Sequence, residues 1–394
     1  MMELFHRGIL DLLRVCLNGG STKLPSDFDW KKACEVGSAH QILPILYYGA
    51  FQSELELPEE VKTFLERATF QSIFIDKKQM YALEELEKCF EEHGIEYLPL
   101  KGALLKYLYP KTEMRSMGDA DVLIRMEQYA DIKPILVELG YEEILESDHE
   151  LVWNKQGSLH LELHKRLIPS YNKDYYKYFG DGWKLAHRGE GSCYEMKKED
   201  QFIYLFVHYA KHYRDAGIGI RHLTDLYVYQ KANPDMDLKY VEKELDRLQL
   251  VTFYRNSMET AAVWFDGAVE TEMTDFMTAR IFGSGSYGTH ENHVLSEGVK
   301  KSKELSVEQV QKKKLLGMIF PSAKMLAPKY SCLKKMPWLL PFVWVYRWMT
   351  ALLFKWDTIR SESKKVSVMS SKNISAYQDE LNYVGLDFNF EEKE

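Results

Sequence analysis

Apolar residues in the first part of the chain recur at helical spacing. Leu10, Leu13 and Leu17 follow one another at intervals of three and four positions. Phe64 and Leu65 likewise follow Val61 by three and four positions. This is the spacing of one helix face. Pro58 is typical of a helix start and His93-Gly94 of a helix end. Residues 1–93 are therefore predicted to form a helical region.

The pattern changes at Ile95, where short apolar runs begin to alternate with helical stretches. The runs predict strands over 95–100, 120–125, 141–145, 150–154 and 158–167, with helices over 103–108 and 127–139. Gln156-Gly157 suits the turn of a hairpin between the last two strands. Residues 94–198 are thus predicted to form a mixed α/β core with an antiparallel edge.

After Asp200 the helical pattern returns, over 202–212, 222–230 and 241–264 and on to residue 282, and a further helix begins between Pro337 and Pro341. Serine and lysine dominate 361–375, which is typical of a linker. The predicted fold class is α+β, with a mixed-sheet core flanked by an N-terminal helical region (1–93) and a C-terminal helical region (199–360). Residues 361–394 are predicted to be a linker and a short C-terminal segment.

Composition places the chain among ordinary globular proteins. Of its 394 residues 45 % are hydrophobic and 28 % charged, which excludes collagen-like, disordered and small disulfide-framework classes. The five scattered cysteines form no C-x-x-C pair, and the N-terminus lacks a secretory pattern. The strongest candidate for a membrane-spanning helix, the uncharged run 336–346, is interrupted by two prolines and is too short to span a membrane. We expect a cytoplasmic protein without a transmembrane segment.

Charge is uneven along the chain. The net charge is −8, yet residues 300–335 contain ten lysines against two glutamates. This block, followed by a Trp-rich stretch, leaves two alternatives for 300–354: peripheral contact with acidic lipid, or a solvated helix face beside a core-packing helix. The overall acidity, with a pI of about 5.9, weighs against a nucleic-acid partner.

Three carboxylates carry the candidate chemistry. Because side chains alternate across a strand, Asp119 and Asp121 are predicted to share a face, while Val122 and Ile124 turn to the core. Glu162 lies within the predicted strand 158–167. If the two strands pair, the three anions meet and need a cation. Carboxylate oxygens suit Mg²⁺ or Mn²⁺ better than zinc.

Positive charge and a glycine precede these carboxylates. Lys101 and Arg115 can neutralise a triphosphate, and Gly102 lies at a strand-to-helix junction, where backbone N–H groups can approach a phosphate. Two divalent ions about 4 Å apart can stabilise the attacking and leaving oxygens of an in-line phosphoryl displacement. The chemistry that these residues indicate is nucleotidyl transfer.

The Lys-Gly-Ala turn (101–103), the Arg-Ser-Met-Gly-Asp-Ala-Asp segment (115–121) and the His-Leu-Glu-Leu-His strand (160–164) resemble the uncharacterised nucleotidyltransferase family of the polymerase-beta-like nucleotidyltransferase superfamily. The resemblance implies a metal-dependent transfer of a nucleoside monophosphate from an NTP. It implies that Asp119 and Asp121 hold two metals, and that Glu162 completes the site and deprotonates the acceptor. One departure is Ala103, where the superfamily usually has serine. Ser116 and Lys101 are candidates to replace the missing phosphate contact.

Other residues have more than one possible role. His164 is a candidate substrate contact, a partner of the site carboxylates, or simply an edge-strand residue. His208 and Arg221 either line the cleft or pack against Asp225. The expected acceptor is a small molecule, sugar, peptide or protein carrying a hydroxyl or phosphate. The alternative function is a catalytically inactive nucleotide- or partner-binding protein, regulatory or antitoxin-like, on the same fold.

Overall fold

The computed structural model of the chain describes residues 2–286, 288–302, 309, 316–317, 319–327, 329–330, 332–354 and 370–387. They belong to two compact units. The first contains the described residues of 2–212 and 218–286, and the second those of 213–217 and 288–387.

The helices of the first unit are α1 (Leu4–Asn18), α2 (Trp30–Ala39), α3 (Leu43–Gln52), α4 (Glu59–Glu92), α5 (Lys101–Leu105), α6 (Tyr129–Glu138), α7 (Lys173–Phe179), α8 (Lys198–Asp215, of which 198–212 belong to this unit), α9 (Ile220–Ala232), α10 (Leu238–Arg247), α11 (Val251–Asp266) and α12 (Glu272–Phe282). Its strands are β1 (Tyr97–Pro99), β2 (Ala120–Ile124), β3 (Glu142–Glu146), β4 (Glu150–Lys155), β5 (Leu159–His164), β6 (Ala186–Arg188) and β7 (Tyr194–Met196).

The long helix α4 begins and ends as the sequence predicts. It starts directly after Pro58, with Glu59 and Glu60 in the first turn, where negative charge stabilises the helix dipole. It ends before Gly94, whose φ of 64° places it in the left-handed region that glycine adopts at little cost. The predicted helical region at the front of the chain consists of α1 to α4.

A five-stranded mixed sheet forms the centre of the first unit. Its strand order is β1-β2-β5-β4-β3, and β2 and β5 are parallel whereas the other pairs are antiparallel. The predicted α+β fold with flanking helices is confirmed. The predicted strand 158–167 stops at His164, because its hairpin partner β4 begins with Glu150 directly opposite that residue.

The two faces of the sheet differ in polarity. Val122 and Ile124 of β2 and Leu161 and Leu163 of β5 are buried together with side chains of α4 and α6. Since consecutive residues of a strand point to opposite faces, the residues between them, Asp121 and Glu162, lie on the other face. Burial of the apolar face therefore fixes the strand register, and this register places the two carboxylates next to each other on the polar face.

The second unit contains α13 (His290–Ser302), α14 (Ala323–Leu326), α15 (Cys332–Lys335), α16 (Leu340–Phe354) and α17 (Ser371–Tyr383). Helix α17 packs on α13, and Ser370 caps it by accepting a hydrogen bond from Asn373 N. The predicted linker 361–375 was therefore wrong for 371–375, which form the first turn of α17. Its residues 361–369 lie outside the described part of the chain.

Helix α16 buries only one side. Val343 packs in a small core with Leu326 and Leu333, whereas Phe342, Val345, Tyr346 and Met349 are exposed at helical spacing. The expectation of a core-packing helix is thus met on one face only. None of the helices in the described part of the chain has the length and apolar character needed to cross a membrane.

Candidate functional site

The centre of the candidate site is the pair of parallel strands β2 and β5. Asp121 lies directly opposite Glu162 in the strand register, and Leu123 lies opposite His164. One side-chain donor atom from each of Asp121, Glu162 and His164 lies within 4.8 Å of the other two. The structure thus brings together an aspartate and a glutamate that are 41 positions apart in sequence.

Lys101 provides a positive charge at this pair. It lies at the turn from β1 into α5, and its Nζ is 2.6 Å from Asp121 Oδ1. The turn is tied to β2 because Leu100 N donates to Asp121 O at 2.9 Å. Lys101 has a φ of 41°, a left-handed conformation that costs a non-glycine residue about 1–3 kcal/mol. The structure holds the residue in this strained conformation with its ammonium group on Asp121.

Asp121 also accepts a hydrogen bond from His164, whose Nε2 lies 2.8 Å from the same carboxylate oxygen. Burial alone would raise the pKa of Asp121, but the charge of Lys101 and the hydrogen bond from His164 outweigh it and hold that pKa well below its usual range. Asp121 is therefore ionised, with its charge balanced by a neighbouring cation.

Glu162 is in the opposite electrostatic situation. Burial, followed by the charges of Asp119, Asp121 and Glu150, raises the pKa of Glu162 to about 8, against a smaller opposing effect of Lys101. Asp119 itself lies just before β2 and is half-buried. The three predicted carboxylates therefore carry more negative charge than the one lysine compensates. A set of oxygen donors with this charge fits a divalent cation such as Mg²⁺.

Gly102 has a structural reason to lack a side chain. A Cβ at this position would lie 2.5 Å from Arg115 Nη1 and 3.0 Å from Met117 Cγ. Arg115 itself is buried and forms two hydrogen bonds to Asp225, at 3.3 and 3.0 Å. Tyr109 donates to the same aspartate at 2.7 Å. The structure thus places Arg115 in a buried ion pair behind the α5 turn.

Ser116 and Arg221 meet beside this pair. Arg221 Nη1 donates to the backbone and side-chain oxygens of Ser116, each at 3.0 Å, and to Gln41 Oε1 at 2.6 Å. The hydrogen bonds to Asp225 described above come from Arg115 and Tyr109. Gln41 lies in the loop between α2 and α3, which no local sequence signal connected with the site.

Helix α8 carries two further side chains toward this region. His208 is the predicted one, and burial together with the charge of Lys101 lowers its pKa well below the usual value, so that its ring is neutral. Tyr204 lies one helical turn earlier and was missed. Its hydroxyl is buried without a hydrogen-bond partner among the described residues, and Lys101 and Asp121 act on it electrostatically. The four-residue spacing from His208 was the signal that could have identified it.

Comparison with known proteins yields one match. A family model described as "Uncharacterised nucleotidyltransferase" matches residues 26–266, which is more than half of the chain and includes every site residue discussed above. No curated protein and no solved structure gives a significant match. The matched range covers the sheet with its carboxylates and the helices around it, and the chain therefore belongs to the uncharacterised nucleotidyltransferase family.

Proposed function

We propose that this protein transfers a nucleoside monophosphate from an NTP to a hydroxyl or phosphate group of an acceptor and releases pyrophosphate. The observation that supports the proposal best is the juxtaposition of Asp121 and Glu162 on neighbouring parallel strands, with Asp119 just before the first of them. Carboxylates gathered in this way suit phosphoryl chemistry on a metal-bound triphosphate.

The proposed cofactor is Mg²⁺, or Mn²⁺ in its place. Asp119, Asp121 and Glu162 would hold it, because their oxygens are hard donors and their combined charge exceeds that of Lys101. When bound, such ions stabilise negative charge on the attacking and leaving oxygens. Glu162 is the proposed general base for the acceptor, since it is the carboxylate of this group that holds a proton most readily.

The remaining predicted residues are proposed to bind or shape the triphosphate side. Lys101 is the strongest candidate for phosphate contact, since its ammonium group already lies at Asp121. Arg115 is tied to Asp225, which supports a role in holding the α5 turn, including Gly102, in place. Ser116 and Arg221, joined by hydrogen bonds, and His208 are proposed to line the acceptor or nucleotide pocket, and His164 to orient Asp121.

A second candidate function is favoured by one observation. Ala103 is buried near the start of α5, where the superfamily usually provides a serine hydroxyl for a phosphate. A protein that binds a nucleotide or a partner without turnover would tolerate this loss. The acceptor in either case is proposed to be a small molecule, sugar, peptide or protein.

The test compares the wild type with Asp121→Asn. Both proteins are incubated with each of the four α-³²P-labelled NTPs and Mg²⁺ or Mn²⁺, with a small-molecule extract as acceptor source, and their thermal unfolding is measured with the same NTPs. We expect metal-dependent transfer of label by the wild type and none by Asp121→Asn, which keeps its fold. Asp235→Asn, an exposed aspartate paired with Lys198, is the matched control and should behave like the wild type. Transfer by Asp121→Asn at the wild-type rate would contradict the proposal. Nucleotide-dependent stabilisation without transfer would favour the second function.

A further inference from the structure

The open end of the β4–β5 hairpin brings together two histidines and a glutamate. Glu150, the first residue of β4, lies opposite His164, the last residue of β5. His149 directly precedes β4, and its carbonyl oxygen accepts a hydrogen bond from Lys165 N at 2.9 Å. One donor atom from each of His149, Glu150 and His164 lies within 4.8 Å of the other two. The hairpin register itself produces this group.

The ring of His164 is oriented by Asp121. Its Nε2 lies 2.8 Å from Asp121 Oδ1, and an ionised carboxylate only accepts hydrogen bonds, so Nε2 carries the proton. In the neutral form of the ring, the form that binds a metal, the lone pair is therefore on Nδ1. That atom is buried and has no hydrogen-bond partner among the residues that the structure describes, and the side chain is only 2 % exposed.

A carboxylate that accepts a hydrogen bond from one nitrogen of an imidazole, leaving the other nitrogen free, is the usual arrangement of a metal-binding histidine. A buried nitrogen lone pair without a donor is otherwise unfavourable. The pair Asp121–His164 thus meets the requirement for a metal ligand on the side of His164 that faces away from Asp121.

His149 and Glu150 supply the other donors. His149 Nδ1 is also buried without a hydrogen-bond partner in the described part of the chain, and it lies 3.3 Å from Glu150 Oε2. The rings of His149 and His164 have their centroids 4.7 Å apart in a T-shaped arrangement. Two imidazole nitrogens and a carboxylate oxygen are the donor set of several zinc sites that keep a fourth position open.

We propose that His149, Glu150 and His164 form a binding site for a divalent transition-metal ion, with Zn²⁺ favoured by the donor set, separate from the carboxylate site of Asp119, Asp121 and Glu162. Imidazole ligands select such ions over Mg²⁺. Three protein ligands leave a position for water or for an anionic oxygen of a substrate. Because His164 also contacts Asp121, an ion here would fix the orientation of that aspartate. The site does not depend on nucleotidyl transfer, and its test contains no nucleotide.

The test uses Co²⁺ as a spectroscopic substitute for Zn²⁺. The full chain is freed of metal with EDTA, dialysed, and titrated with Co²⁺ in excess Mg²⁺, which is present to saturate the hard carboxylate donors. We expect one equivalent of Co²⁺ to give visible absorption bands, and one equivalent of Zn²⁺ to abolish them. Absence of the bands in the wild type would overturn the proposal.

Variants identify the ligands. His149→Ala and Glu150→Gln should each raise the Kd for Co²⁺ by more than about 100-fold. Loss of a residue that only hydrogen-bonds to a metal ligand weakens metal binding by about 10- to 100-fold, so a larger effect identifies a ligand. His160→Ala, which removes a histidine at the other end of β5, is the matched control and should bind like the wild type. Glu162→Gln should also retain the bands.

The opposite pattern, with Glu162→Gln losing Co²⁺ and Glu150→Gln retaining it, would assign the ion to the carboxylate site and refute the proposal. Equal loss in His160→Ala would do the same. Far-ultraviolet circular dichroism checks that each variant folds. Glu150→Gln keeps the size of the side chain at a position that is 28 % exposed, so the test does not depend on His149→Ala alone.

Discussion

Removal of Lys101 should make the stability of the protein depend on a divalent cation. In Lys101→Met the three site carboxylates lose the ammonium group that lies 2.6 Å from Asp121 Oδ1. At that distance and an effective dielectric constant of about 20, the attraction amounts to about 6 kcal/mol before desolvation is subtracted. Breaking a buried pair by removing one partner costs about 3–5 kcal/mol in measured cases. The side chain of Lys101 is 16 % exposed. We therefore expect the substitution to lower the free energy of unfolding in EDTA by about 3 kcal/mol, the lower end of this range.

The chain offers a matched control in Lys106→Met. Lys106 Nζ lies 2.6 Å from Asp76 Oδ1, the same distance, and its side chain is 1 % exposed. Its loss should therefore reduce the free energy of unfolding by about 4–5 kcal/mol. Asp76 is remote in sequence from the proposed carboxylate site and belongs to neither cluster of potential metal ligands found among the described residues.

Urea unfolding followed by tryptophan fluorescence, with EDTA or with Mg²⁺, measures the difference. An ion present at 100 times its Kd stabilises the native state by about 2.7 kcal/mol. In Lys101→Met this gain should restore most of the lost stability, because the ion then supplies the charge that lysine supplied. In Lys106→Met the gain should be no larger than in the wild type. An equal response to Mg²⁺ in the two variants would refute the reasoning that Lys101 and the cation neutralise the same carboxylates.

Two further predictions concern other parts of the chain. His40 is buried, with Nε2 donating to Phe282 O and Nδ1 accepting from Ile220 N; burial lowers its pKa, despite the Phe282 carbonyl and with a small contribution from His6. Below about pH 6.5 the unfolded chain therefore binds a proton that the native state does not, so the free energy of unfolding should fall as the pH is lowered through 6.5. His40→Gln should reduce the slope of the free energy of unfolding against pH by up to about 1.4 kcal/mol per pH unit, and an unchanged slope would contradict this. The second prediction concerns residues 300–354, where helix α16 has an exposed apolar face and follows a lysine-rich sequence. We expect the protein to float with anionic vesicles at low salt and to lose this binding at high salt. Failure to float at low salt would leave only the solvated-face alternative.

Local sequence patterns predicted the elements and the facing of their residues. The alternation around Asp121 placed Val122 and Ile124 in the core, and the structure has them there. The same alternation in β5 put Glu162 on the polar face. What the alternation could not supply was the pairing of β2 with β5, since parallel strands are joined by long crossovers whose partners a local pattern does not specify. The convergence of the carboxylates was therefore predicted only conditionally.

The partners of the buried charges lay beyond sequence reasoning. Arg115 was expected to face a triphosphate, yet it pairs with Asp225, 110 positions away. Gln41 receives Arg221 from 180 positions away. Such contacts depend on how the helices pack around the sheet, and the hydrophobic periodicity of the sequence does not predict them. The left-handed backbone conformation of Lys101 could not be predicted from the sequence either, because a lysine is not a residue type that favours a positive φ.

Lys101 connects these observations with the chemistry. The strained backbone and partly accessible side chain of Lys101 make it easier to displace than Arg115, which is buried and held by two hydrogen bonds to Asp225. A divalent ion that approaches Asp121 competes with this lysine for the same oxygen, so part of its binding free energy is spent on moving Lys101. Once displaced, an ammonium group in this position lies next to the metal ligands, where the phosphates of a metal-bound nucleotide would be. The same ion pair would thus stabilise the metal-free fold and place a positive charge at the triphosphate when metal and nucleotide bind.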